Sequence, residues 1–251
     1  MKSPSRTASC ALIALVVLVL PAAAQQELPS PTEILDRYVE ALGGEAAIRK
    51  HEQVTWTAKL EIPGMGIEAD ATLAAAAPNK FRLTMESDAM GSVDQGFDGQ
   101  IAWSDTAMTG PMILEGAERE DAVLLADFHA DVNYAINFPL LETVAEEDFD
   151  DETAYKVRAE TATGRETFHF FSVETGLLIG SEGNQATAMG ELFATSRIGD
   201  YKEYDGRLFP TELIVEVMGA QQVIRLIEPD FSVIDASVFE PPEAIKTLAA
   251  G

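Results

Sequence analysis

Hydrophobic and polar residues follow two rhythms along this chain. After "QQELPS" the first is helical: Ile34, Leu35, Tyr38, Val39 and Leu42 recur at three- and four-residue steps, which predicts one amphipathic helix. Ser30 and Glu33 form an S-x-x-E capping box, Pro31 suits the first helical position, and Gly43-Gly44 ends the element. "EAAIRKH" reads as a second short helical piece. The period then changes to two. In "VTWTAKLEI", Val54, Trp56, Ala58, Leu60 and Ile62 alternate with Thr55, Thr57, Lys59 and Glu61. After "PGMG" the apolar set is Ile67, Ala69, Ala71 and Leu73; after "APN" it is Phe81, Leu83 and Met85, with Arg82 on the wet side. Three consecutive strands, each with one wet face, predict an antiparallel meander.

Shorter strands are expected near 93–97 and 101–103. "EREDAVLLADFHADVNYAINFPLLETV" has helical spacing and predicts one or two helices, and "EEDFDDE" at 146–152 reads as an acidic loop. Strands resume at 155–161, 166–173, 177–182, 191–201, 207–217 and 221–227. The turns between them include Thr163-Gly164, Thr175-Gly176 and Asp205-Gly206. The fold class is α+β and mainly β. Its order is helix, meander, helical insert, meander, and its roughly eleven strands are enough to curl one large sheet.

The first residues stand apart from this pattern. Lys2 and Arg6, an apolar run from Cys10 to Leu20, and Ala22-Ala23-Ala24 have the form of a secretory signal peptide over 1–24, with cleavage before Gln25. A linker at 25–30 and a single domain at 31–251 would follow. Lys2 and Arg6 leave with the leader, so the mature chain keeps 15 basic and 42 acidic residues, a formal charge of −27. A surface of that sign repels nucleic acid and anionic membranes. After the leader no cysteine remains, which excludes thiol chemistry and disulfides, and no apolar run is long enough to span a bilayer.

The chemistry inventory is thin. No G-x-S-x-G elbow, H-E-x-x-H pair or glycine-rich phosphate loop is present, so no catalytic residue is assigned and no cofactor is implied. "DFHAD" brings Asp127, His129 and Asp131 together, but residues two apart on a helix point in different directions. "EEDFDDE" lacks the spacing of an EF-hand loop. No metal site is expected. His169, between Phe168 and Phe170, reads as an exposed side chain on the opposite strand face.

Several segments in this order resemble one family. "ILDRYVEALGGEAAIRK", "APNKFRLTM", "GFDGQIAW", "YKVRAETATGRETFHFFSVETGLL" and "YKEYDGRLFPTEL" are similar to the outer-membrane lipoprotein-sorting proteins and their LolA/LolB-like relatives. The resemblance implies an incomplete antiparallel β-barrel with helices over a concave apolar interior that shelters lipid acyl chains. It implies an exported, periplasmic carrier whose partners are lipid acyl chains or a lipidated protein. The same scaffold also serves protein-binding sensors of envelope stress, which is the alternative role. On this reading the cavity-lining candidates are Trp56, Leu60, Phe81, Leu83, Trp103, Phe168 and Phe170, with Ile34, Leu35 and Tyr38 presenting the first helix as a lid. Periodicity alone leaves open whether that apolar face is packed solid or hollow.

Overall fold

A computed structural model describes residues 27–187 and 190–250, so the expected leader and its cleavage point lie outside the described residues. The helices are α1 (Pro31–Ala41), α2 (Glu45–Ile48), α3 (Gly116–Ala126), α4 (Tyr134–Asn137) and α5 (Glu243–Ala250). α1 starts as its sequence requires. Ser30 Oγ accepts from Glu33 N–H at 3.3 Å, and the Glu33 carboxylate accepts from Ser30 N–H at 2.8 Å.

The strands are β1 (Gln53–Ile62), β2 (Ile67–Ala76), β3 (Lys80–Ser87), β4 (Gly91–Phe97), β5 (Ala102–Thr106), β6 (Gly110–Ile113) and β7 (Leu140–Phe149). They continue with β8 (Glu152–Glu160), β9 (Glu166–Ser172), β10 (Leu178–Thr187), β11 (Gly190–Tyr204), β12 (Arg207–Val217) and β13 (Ala220–Asp230). All belong to one antiparallel sheet in the order β6-β5-β4-β3-β2-β1-β13-β12-β11-β10-β9-β8-β7. The first and last strands pair, with Leu60 opposite Ile224. The free edges are therefore β6 and β7, and the helical insert joins them across the gap. α3 touches β3, β4 and β5 on one side and β10 on the other. Only a curled sheet lets one helix reach both, and the curl stops short of a closed barrel.

Two strands depart from the sequence expectation. β6 was not foreseen, and β7 takes residues read as the end of the helical insert and the start of an acidic loop. A register irregularity between Thr143 and Ala145 interrupts the alternation of β7. Its hairpin with β8 turns at Asp150 and Asp151, at φ 50° and 67°. Aspartate tolerates this left-handed geometry of a tight hairpin turn, so "EEDFDDE" is a strand end, a turn and a strand start.

Helices α1 and α2 close one end of the sheet. Leu208 N–H donates to Leu42 C=O at 3.0 Å, and Arg37 donates to Glu174 C=O in the β9–β10 turn at 2.8 Å. Lys50 pairs with Asp205 in the β11–β12 turn at 2.6 Å. Beneath them Ile34, Tyr38, Leu42, Ile48, Tyr134, Val157 and Phe171 form a dense core. Among the described residues no helix is long and apolar enough to cross a membrane.

The outer face is covered in one place. The chain after β13 returns over β3–β6, burying Phe239 and Ile245. Arg82, expected on the wet face, holds this cover: it grips Asp94 with two contacts of 3.0 and 2.6 Å and donates to Val238 C=O at 2.9 Å. Removing one partner of such a half-buried network leaves the others unsatisfied. Arg82→Ala is expected to cost about 2 kcal/mol and to speed amide exchange in 236–250 ahead of the rest of the chain.

Candidate functional site

Residues opposite one another in neighbouring strands share a face, so the inner surface can be followed across the sheet. Trp56 faces Leu73, Leu73 faces Leu83, Leu83 faces Gln95, and Gln95 faces Ser104. In the other direction Leu60 leads through Ile224 and Leu213 to Ile198. Two residues along β11, Ser196 leads through Ser181 to His169. Helices identify this face as the inner one. Ala122 and Ala126 of α3 pack on Phe81, Phe97 and Ala102, while α1 and α4 pack on Val157 and Phe171.

Burial on this face is uneven. Under α1 and α4 it is complete, with Val157 and Phe171 both at 0% exposure. Farther along, Leu60, Leu73, Leu83, Leu213, Val215 and Ile224 are only half-buried. α3 does not press flat over β3–β6. It leaves a trough of about 400 Å³ whose lining includes Phe81, Gln95, Ser104, Met108, Met112, Leu114, Ala122 and Leu125. Glu118 and Asp121 stand at its margin. The polar groups on the inner wall satisfy one another, Gln95 donating to Ser104 Oγ at 3.1 Å and the Thr106 and Thr109 hydroxyls pairing at 2.8 Å.

α3 is held by ion pairs and hydrogen bonds as well as by the packing of Ala122 and Ala126. At its middle Arg165, in the β8–β9 turn, pairs with Glu120 at 3.2 Å and Asp121 at 2.5 Å. At its end the Asp127 carboxylate accepts from Asn133 at 2.9 Å and Asn137 at 2.8 Å. Asp131 accepts from the Tyr38 hydroxyl at 2.6 Å and pairs with Arg207 at 2.7 Å, and His129 Nε2 lies 3.2 Å from His51 C=O. The "DFHAD" segment is thus a polar knot behind α3. Among the described residues no group of three or more His, Cys, Asp or Glu side chains is placed to hold a metal.

The ten expected lining residues separate into three groups. Trp56, Leu60, Phe81 and Leu83 lie on the inner face. Phe81 walls the trough, and Trp56 is filled against Tyr204 and Phe209 in edge-on contacts at 5.5 Å. Ile34, Leu35 and Tyr38 belong to the dense core at the closed end and do not form a lid over open space. Trp103, Phe168 and Phe170 lie on the outer face, although Trp103 also borders the trough. Trp103 covers Gly96, where a Cβ would strike its ring, and donates to Asp94 at 3.3 Å beneath the C-terminal cover. Phe170 stacks on Phe149 with centroids 4.1 Å apart, and Gly180 gives Phe149 its seat. Lys156 lies over both Phe168 and Phe170, at 4.9 and 5.1 Å. Phe168 also edges a second cleft of about 690 Å³ at the start of α3. That cleft is larger, but its walls carry Glu120, Arg165, Glu166 and Glu191, a poor lining for an apolar guest. Met112, Leu114, Ala122 and Leu125 were not foreseen. Ala122 and Ala126, small residues four apart, are the signal in the sequence for the close approach of α3.

His169 is the other reversal. It is buried on the inner face, hydrogen-bonded to the Tyr134 hydroxyl through Nδ1 and to Thr167 Oγ1 through Nε2 at 3.1 Å. Burial lowers its pKa from the ordinary 6.5 to about 4. Between those values the unfolded chain binds a proton that the folded chain does not, a difference on the order of 3 kcal/mol. This contribution is complete above pH 6.5 and is lost as the pH falls toward 4. Thermal melts across that window should show the slope in the wild type, and His169→Gln should flatten it.

Solved structures share this architecture. A LolA superfamily protein from Nitrosomonas europaea superposes with a TM-score of 0.58 at 15% identity, over 85% of this chain and 99% of its own. A DUF1329 family protein from Desulfovibrio piger gives 0.56 at 13% identity, over 85% and 98%. An outer membrane lipoprotein-sorting protein domain from Vibrio parahaemolyticus gives 0.53 at 8% identity, over 82% and 95%. No family model and no curated protein sequence matches the chain. The chain has the LolA-like fold. At such identities the likeness speaks for the fold alone.

Proposed function

We propose that this protein is an exported, periplasmic carrier that shelters lipid acyl chains between α3 and the inner face of β3–β6. The observation that carries the reading is the half-buried apolar surface beside the trough, on the face that elsewhere packs solid under α1 and α4. Folded proteins rarely leave so much apolar surface facing inward without a guest. Each methylene withdrawn from water contributes about 0.8 kcal/mol, so eight would supply roughly 6 kcal/mol before the cost of ordering the chain. Shelter of this kind asks for burial and for no catalytic group. The load is a free lipid or the acyl chains of a lipidated protein, in keeping with the lipoprotein-sorting name of the Vibrio domain.

Titration of delipidated protein with a fluorescent fatty acid tests the reading. Saturable uptake with one site per chain is expected. A linear, non-saturating signal would overturn it.

A further inference from the structure

An antiparallel meander sends alternate turns to opposite ends, and here the two ends differ in chemistry. The closed end carries acid in all but the β2–β3 turn: Asp98, Asp150 with Asp151, Glu174 and Asp205. The open end carries methionine in all but the β8–β9 turn, which holds Arg165. Met65 lies between β1 and β2, Met90 between β3 and β4, Met108 between β5 and β6, and Met218 between β12 and β13. The connection from β10 to β11 also contains a methionine, Met189, which lies outside the described residues. Met65, Met108 and Met218 are 70%, 87% and 83% exposed.

Two observations give this rim a purpose. Met218 occupies a left-handed position at φ 52°, followed by Gly219 at φ 80°. The closed-end turns fill comparable positions with aspartate or glycine, the residues that tolerate them. A methionine there is a poor choice for the turn alone. The rim is also continuous with the proposed site, since Met108 itself lines the trough. The turns at 63–66, 107–109 and 218–219 contain no charged residue, and the Met90 turn adds only Asp88, on a mature chain of formal charge −27.

We infer that the methionine rim docks the open end of the sheet onto an uncharged, zwitterionic lipid surface. Unbranched thioether side chains adapt to an irregular apolar boundary such as that between headgroups and acyl chains. The acidic body is repelled by anionic lipid and turns its charged end away from the bilayer. The docked pose places the mouth of the trough at the level where acyl chains begin. What then enters the trough rests on the carrier reading; the docking itself does not.

Methionine oxidation reports the contact residue by residue. The exported protein is treated with dilute peroxide, alone or with phosphatidylcholine vesicles, and sulfoxide is measured in each peptide. Vesicles should slow oxidation of Met65, Met108 and Met218 by at least about threefold, with the buried Met85 unchanged as the internal standard. Phosphatidylglycerol vesicles should protect less. In co-sedimentation with phosphatidylcholine, Leu83→Glu should still pellet, which separates docking from loss of the trough. The double variant Met65→Ser, Met218→Ser, which keeps the trough-lining Met108, should pellet at least about threefold less than the wild type while taking up a monomeric fatty acid as the wild type does. Equal oxidation with and without either vesicle would overturn the inference and leave a protein as the rim's occupant. Full pelleting of the double variant would overturn it too.

Discussion

Leu83→Glu is expected to weaken uptake of a fluorescent fatty acid by at least about tenfold, while Phe168→Glu leaves it within about twofold, because a tenfold loss corresponds to fewer than two sheltered methylenes. Leu83 is half-buried on the inner face, between Leu73 and Gln95 and beside Phe81. Leu83 packs on the cluster of Phe81, Phe97 and Ala122 beside the trough, and a carboxylate there draws water in without a hydrogen bond in return, since Gln95 is already paired with Ser104. Phe168 stands on the other face and edges the larger, polar cleft. The pair of variants therefore separates the two clefts. If Phe168→Glu abolishes uptake and Leu83→Glu does not, lipid enters at the start of α3 and the trough is not the site.

Phe170→Ala carries the largest expected effect on stability and should leave uptake unchanged. Phe170 is 1% exposed, stacked on Phe149 and packed with Ala154. Truncating a buried phenylalanine costs about 3–5 kcal/mol, because the lost transfer energy adds to that of the cavity left behind. In a chain of this size that lowers the melting temperature by roughly 10 °C. Differential scanning calorimetry measures the shift, and the fatty-acid titration run below the new melting point shows whether uptake survives. A large loss of uptake in the folded variant would return Phe170 to the cavity.

The contrast between Leu83 and Phe170 shows what the sequence made legible. Alternation in β1, β2 and β3 is clean, so Leu60, Phe81 and Leu83 were placed together correctly, and the Ser30–Glu33 cap marked the start of α1. In β9 alternation sorts residues into two sets and gives no sign for which set faces in. "FHFFS" has aromatic residues in both sets, and only the register carried across from β1 decides that Phe171 and His169 face the helices. The polarity of His169 pointed outward. Tyr134, brought over it by α4, supplies the partner that allows it inside. The orientation of Trp103, which borders the trough from a strand face turned outward, was hidden for a related reason. A strand covered on both faces loses the polar side that orients it, and the cover here comes from residues far along the chain. The trough itself has no periodic signature, since it depends on how closely α3 approaches the sheet.

A fatty acid with a diazirine near its tail tests the central claim most directly, because the bound chain marks its own neighbours. After irradiation and digestion, labelled peptides should come from the two walls of the trough. Those are α3 around Ala122 and Leu125, and the strands carrying Phe81, Leu83 and Met112. Label confined to the outer face around Phe149, Phe168 and Phe170, or spread evenly over the surface, would contradict the account.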